Sequence, residues 1–273
     1  MFLSEIPTVT FFTLGFSGNL SGDGNFIKAG NYTLTLSGTN SITGTKTISG
    51  GTLSISSDDN LGAVPGSVES NHLIFNGGTL QTTAGFTLNS NRGINLSGNG
   101  TIHTNTSTQL DYGGLITGTG SLTKSGAGIL LLSANNNFTG NLNLDGGTLS
   151  ASAVGQLGRT TGSNSITFDG GTLLATSDFT LDSSRGISLD GTGTFNVGSG
   201  VTLDYAGVIS GSGFAQAKII GFFAIFFTIS FVNAPFADNP KKTSAFLIAS
   251  DNDRSLVSIA CSDFHLFRFS RPL

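Results

Sequence analysis

Three histidines and one cysteine are the side chains here best suited to metal ligation, proton transfer or nucleophilic attack. His72 and His103 are 31 residues apart, and His265 and Cys261 lie near the C-terminus. Metal sites and catalytic triads need several such groups at short, convergent spacing. The histidines show no such spacing, so His72 and His103 are expected as surface or turn residues. Cys261 has no partner thiol and reads as incidental. Asp111 and Asp204 recur in "LDY", Arg92 and Arg185 in "RG", and Tyr112 and Tyr205 follow the aspartates. Recurrence suits a structural role, with the Asp and Arg side chains bonding at corners and the tyrosines stacking rather than forming sugar platforms. Close glycines in "GTGTFNVGSG" and "GNGT" lack the strand-to-helix setting of a phosphate loop. "LDGGTL" and "FDGGTL" carry one Asp each, short of a calcium-binding β-roll repeat. Triplets such as Asn137-Phe138-Thr139 reflect Asn and Thr richness. No catalytic, cofactor or metal residue is assigned, and no enzyme activity is expected.

What recurs is scaffold. Residues 22–62 and 118–158 align without a gap at an offset of 96, with 18 of 41 positions identical. Residues 71–120 and 164–213 align at an offset of 93, identical at 25 of 50. Such a register over about ninety residues marks an internal duplication, and repeats of this kind predict a stacked array. "NYTLTLSG", "GILLLSA" and "GINLSGNGT" alternate apolar and small polar residues, the period of a half-buried strand. Gly-Gly pairs at 50–51, 77–78, 146–147 and 170–171 separate one strand from the next. The expected fold is an all-β parallel β-helix, or β-solenoid, with coils of about twenty residues stacked about 4.8 Å apart.

Charged residues make up 10% and the net charge is −4, which excludes the basic stripe that nucleic acid requires. The average conceals a step. Residues 1–213 hold 39 of the 40 glycines, whereas residues 214–273 hold 11 of the 22 phenylalanines. Four segments are expected: a partial leading coil at 1–21, repeat copy one at 22–117, copy two at 118–213, and an unrelated tail at 214–273. In the tail, residues 219–232 form an uncharged run preceded by Lys218, with Ala234 and Ala237 as small residues suited to cleavage. Fourteen residues suit a signal-peptide core better than a membrane span. A frameshift, a membrane-interacting tail and a junction with another gene's signal sequence all fit. The break inside a repeat motif favours the frameshift.

The stretch "GSLTKSGAGILLLSANNNFTGNLNLDGGTL" resembles the autotransporter-associated β-strand repeat, also called the passenger-associated transport repeat. Gly120, Leu122, Lys124, Gly126, Gly128, Leu130, Leu132, Asn136, Phe138, Gly140, Gly147 and Leu149 fit its pattern. In copy one Gly24, Lys28, Gly30, Leu34, Leu36, Asn40 and Gly44 fit, while Tyr32 replaces a glycine and Ile42 the aromatic residue. The resemblance implies a right-handed β-helical passenger of a type V secreted bacterial surface protein. It further implies a structural stalk that aids outer-membrane secretion, displays an adhesive surface and needs no cofactor. The implied partners are an outer-membrane translocator β-barrel, missing from this chain, and a host-surface or glycan ligand, with self-association as a further candidate. The intact parent would sit at the cell surface or outer membrane, or outside the cell. The opening "MFLSEIPTVTFFTLGFSGNL" has Glu5 and Pro7 and no basic region, so it reads poorly as a signal peptide. The tail is too short for a barrel, and the chain therefore reads as a passenger fragment. The alternatives are a non-functional truncated gene product and a polysaccharide-active β-helix enzyme.

Overall fold

The computed structural model describes residues 13–160 and 164–219, together with strands Thr228–Ser230, Ser244–Phe246 and Val257–Ala260. His265, Cys261, the first twelve residues, Ala234, Ala237 and most of the 219–232 run lie outside the described residues.

The chain winds as a parallel β-solenoid with three faces. The first face is a ten-stranded sheet that begins at Thr13–Phe16 and Thr33–Leu36 and ends at Ile209–Gly211. Its register partners follow Thr33, Thr52, Thr79, Thr101 and Thr123, so a turn takes 19 to 27 residues rather than a constant twenty. The second face holds seven parallel strands from Phe86–Leu88 to Phe214–Ile219. The ladder thus runs through the composition step at residue 214, where Phe195 pairs with Ala217. Val257–Ala260 then adds antiparallel to the same sheet, and Thr228–Ser230 pairs antiparallel with Ser244–Phe246.

The third face starts as a five-stranded sheet from Phe26–Lys28 to Ile116–Gly118. It continues through residues 137–139, whose backbone bonds to Ile116 and Gly118, and then a 3-10 turn at Val154–Leu157. Two strands, Phe179–Leu181 and Leu203–Tyr205, complete it. The matching 3-10 turn of copy one, Asp58–Leu61, packs instead against Phe86–Leu88 on the second face.

Alternation along each strand places every second side chain inside. Inward residues stack in rows one turn apart. Leu122, Leu142, Ile166, Ile187 and Ile209 form one such row, and Leu110, Leu130, Leu149, Leu173 and Phe195 another. All are buried in one continuous core. Phe168 and Phe195 meet across it at 4.7 Å between ring centroids. Outward positions of the first face carry Thr33, Thr52, Thr79, Thr101, Thr123, Asn143, Thr167, Ser188 and Ser210 in register. Small hydroxyl and amide side chains tolerate this direct opposition better than like charges would.

The two copies do not superimpose by a shift along the axis. Leu34 of copy one lies on the first face, but its counterpart Leu130 lies on the second. Ile48 lies on the third face and its counterpart Leu144 on the first. From Phe26 the third face is revisited at Lys46, Leu73, Ile94 and Ile116, four turns, and the next strand opens copy two on the first face. One copy therefore spans four turns plus one face, and its successor is rotated by that face.

Corners are sterically tight where turns stack. A Cβ on Gly120 would lie 1.9 Å from the carbonyl oxygen of Gly98, and one on Gly140 would lie 2.2 Å from that of Gly120. Gly24 has nothing within 4 Å. We expect Gly140→Ala to destabilise the full chain by about 1–3 kcal/mol, the scale of core overpacking. Gly24→Ala should shift stability by less than about 0.5 kcal/mol. Denaturant midpoints of the two variants check this, and equal effects would refute the stacked-corner account.

Candidate functional site

Inside the apolar rows sit lysines that period-2 patterning assigns to the interior. Lys124 shares the inward parity of Leu122 and lies between Ile102 and Leu144 in register. It is fully buried. Its ammonium donates to the carbonyls of Ser125 at 2.6 Å, Gly126 at 2.9 Å and Gly146 at 3.1 Å. Lys28 does the same in copy one, with Ala29 at 2.8 Å, Gly30 at 3.1 Å and Gly50 at 2.9 Å. Each ammonium therefore clamps the corner of its own turn to the corner of the next. Gly126 has φ of +71°, the left-handed conformation that suits glycine.

A second link uses buried asparagine. The Leu20 N–H donates to Asn40 Oδ1 at 2.8 Å, and Asn40 Nδ2 donates to the carbonyl of Asn60 at 2.6 Å. In copy two the Ile116 N–H donates to Asn136 Oδ1 at 2.9 Å, and Asn136 Nδ2 donates to the carbonyl of Gln156 at 2.7 Å. One amide thus joins three successive turns. Asn60 and Gln156 in turn accept the N–H groups of Ser56 and Ser152, which holds the 3-10 turn in place. Phe138 packs fully buried beside this corner. The tyrosines make a third link: Tyr112 donates to the Arg92 carbonyl at 2.8 Å and Tyr205 to the Arg185 carbonyl at 2.6 Å.

Copy one adds a buried charged cluster. Arg92 holds the Asp58 carboxylate in a fork, Nε to Oδ1 at 2.8 Å and NH2 to Oδ2 at 3.0 Å. It also donates to the carbonyls of Gly62 and Ala63. Lys46 Nζ and Arg92 NH1 both lie 3.0 Å from His72 Nε2, and His72 Nδ1 lies 3.1 Å from Glu69 Oε2. Only neutral imidazole protonated at Nδ1 can satisfy all three contacts, because both cations are donors.

Several sequence expectations need correction. His72 is not a surface residue: it is 1% exposed, at the centre of this cluster. His103 is half-buried on the first face, 3.1 Å from Ser125 Oγ, beside a groove lined by Thr52, Thr79 and Gln81. Arg92 and Arg185 are buried at corners, whereas Asp111 points outward to Gln109 at 2.6 Å and Asp204 is exposed. The tyrosine hydroxyls bond buried backbone, and the rings are covered, so neither tyrosine offers a sugar platform. Composition gave no warning of the buried Lys46 and His72, but the inward parity of Lys28 and Lys124 did. Among the described residues no group of three His, Cys, Asp or Glu side chains could hold a metal ion.

These burials set a pH dependence. Desolvation lowers Lys124 from 10.5 to about 8. Lys46 also falls to about 8, through desolvation and then the Arg92 charge. Between about 8 and 10.5 the unfolded chain holds protons that the folded chain has released, so unfolding free energy rises with pH across that window. His72 is lowered from 6.5, first by burial, with the Lys46 and Arg92 charges adding to it against the bond to Glu69. Its contribution is present above 6.5 and is lost as pH falls through the folded value. Denaturant midpoints of the full chain should rise from pH 8 to 10 and fall below pH 6.5. Lys124→Met should flatten the alkaline limb and His72→Gln the acid limb; unchanged slopes would refute these assignments.

Residues 26–55 and 122–151 match the passenger-associated-transport-repeat family. The chain is 41% identical over 98 residues to the adhesin BmaC autotransporter of Brucella suis biovar 1 (strain 1330). That alignment covers 36% of this chain and 3% of the length of the relative. No solved structure matches the chain. Both matched segments run from a clamping lysine, Lys28 or Lys124, through the linking Asn40 or Asn136 to the strand beyond the paired glycines. Two passenger-associated-transport repeats, joined by buried polar links on one parallel β-solenoid, make this chain an autotransporter passenger-repeat protein.

Proposed function

We propose that this chain is a structural stalk segment of a bacterial autotransporter passenger, which aids its secretion across the outer membrane and displays an adhesive surface. The observation that carries this reading is the locality of every stabilising link. Strand pairs and the Lys124, Asn136 and Tyr112 hydrogen bonds each join a turn to an adjacent one, about twenty residues away in sequence. A fold of this kind completes one turn at a time as chain emerges, because each new turn needs only its predecessor. Such growth at the cell surface opposes backward sliding through a translocator β-barrel, the partner implied for the parent protein. The single cysteine, Cys261, leaves residues 1–260 unable to form internal disulfides that would obstruct threading.

The adhesive part of the reading is supported by the named relative, an adhesin, and by the outward Thr, Ser and Asn row of the first face. A host-surface or glycan ligand would meet neutral hydroxyl and amide groups there. The same exposed ladders are the surface through which copies of the solenoid would self-associate. The rows are built from side chains that bind rather than from paired acids and bases, which supports a non-catalytic role.

The test is to place the full chain between a secretory signal and an outer-membrane β-barrel and to measure surface exposure by protease accessibility. The wild-type chain should reach the surface. Lys124→Glu with Asn136→Leu should reduce display several-fold, by removing links between turns. Equal display of both would overturn the export role. Failure of displayed wild-type chain to retain host cells or glycans would remove the adhesive role alone.

A further inference from the structure

The duplicated corner has lost its acceptors in copy two but has kept its arginine. In copy one Arg92 has the Asp58 carboxylate, the His72 nitrogen and the Ala63 and Gly62 carbonyls as acceptors. In copy two Val154 stands at the position of Asp58 and Ser165 at that of His72. Arg185 is nevertheless 1% exposed. Its NH2 donates to the carbonyl of Leu157, while Nε and NH1 have no partner among the described residues. The nearby Asp182 carboxylate is engaged elsewhere, by the Ser184 N–H at 2.7 Å and hydroxyl at 2.6 Å.

A third unpartnered donor stands at the matching register position. Ile166 pairs with Ile187, which sets Asn164 and Arg185 at equivalent positions one turn apart, both buried. Asn164 Nδ2 also lacks a partner among the described residues. The adjoining backbone is in close contact, with Ile166 N–H donating to the Gly186 carbonyl at 2.9 Å. The corner therefore presents three N–H groups, a full positive charge and no acceptor. Buried donors without acceptors are strongly disfavoured, and a buried cation more so. A water molecule would accept two of these bonds but leave the charge uncompensated, and its own protons would need further acceptors.

We infer that Arg185 and Asn164 form a binding site for a small inorganic anion of the halide class. The anion occupies the role that the Asp58 carboxylate fills in copy one. It accepts from guanidinium and amide donors, and it neutralises the charge that Val154 cannot. The site belongs to copy two alone, and it ties the turn that bears Asn164 to the turn that bears Arg185. Passage of the unfolded chain needs no anion, so binding acts on the folded turn.

The test uses the full chain with chloride as the probe. At constant ionic strength, replacing gluconate by chloride should raise the thermal midpoint by about 2–4 °C. Val154→Asp should abolish that chloride response and should be as stable in gluconate as the wild type is in chloride. Equal midpoints in the two salts, or the same response in wild type and Val154→Asp, would overturn the inference. Should that variant fail to fold, bromide-soaked crystals of the wild type decide the matter. An anomalous peak within hydrogen-bond distance of Arg185 supports the site, and a water or empty density there overturns it.

Discussion

Everything in this molecule depends on the spacing between turns, about 4.8 Å, that parallel backbone hydrogen bonds impose. At that separation each inward side chain sits directly on its counterpart one turn away. Rows such as Leu122, Leu142, Ile166, Ile187 and Ile209 can be apolar throughout, because a Leu or Ile stacks well on another. The same separation leaves no room at certain corners for a Cβ, which is why Gly98, Gly120 and Gly140 lie above one another. Polar groups follow the same rule in reverse. A buried lysine is tolerated where corner carbonyls of two adjacent turns converge on its ammonium, as Ser125, Gly126 and Gly146 do around Lys124.

Buried polar groups here are connectors between layers rather than parts of a reaction centre. Asn136 spans three turns, Lys124 two, and Tyr112 and Tyr205 return to the arginine-bearing corner of the preceding turn. Satisfied buried polar groups of this kind specify one register, because a slip of one residue would strand each of them. That gives the family pattern a physical meaning: Lys, Asn and paired Gly are the positions at which one turn is fastened to the next. The charged cluster of Asp58, Glu69, His72, Lys46 and Arg92 is a local elaboration of the same device, present in one copy and reduced to Arg185 in the other.

How far the amino-acid order alone led can be judged from particular residues. Alternation in "GILLLSA" and the Gly-Gly pairs announced strands and corners, and the stacked parallel arrangement followed from their repetition. Lys124 was legible as an inward residue from its parity with Leu122. His72 was not, because a lone histidine beside a strand has the same local pattern whether it faces solvent or a buried Lys46 twenty-six residues away. Asp111 and Asp204 misled for the opposite reason: they recur, but on the outward side of their strands.

By itself, then, the order of residues determined the secondary structure, the inward and outward sides and the duplication, since all three are periodicities along the chain. Only the tertiary structure decided which face each strand joined. A copy contains four turns and one face more, so equivalent strands of the two copies look in different directions, and the threonine row of the first face is assembled from positions that are not equivalent in sequence. Turn length, which varies from 19 to 27 residues, sets that rotation. It depends on how loops pack at each corner, an outcome of contacts between turns that no local pattern contains.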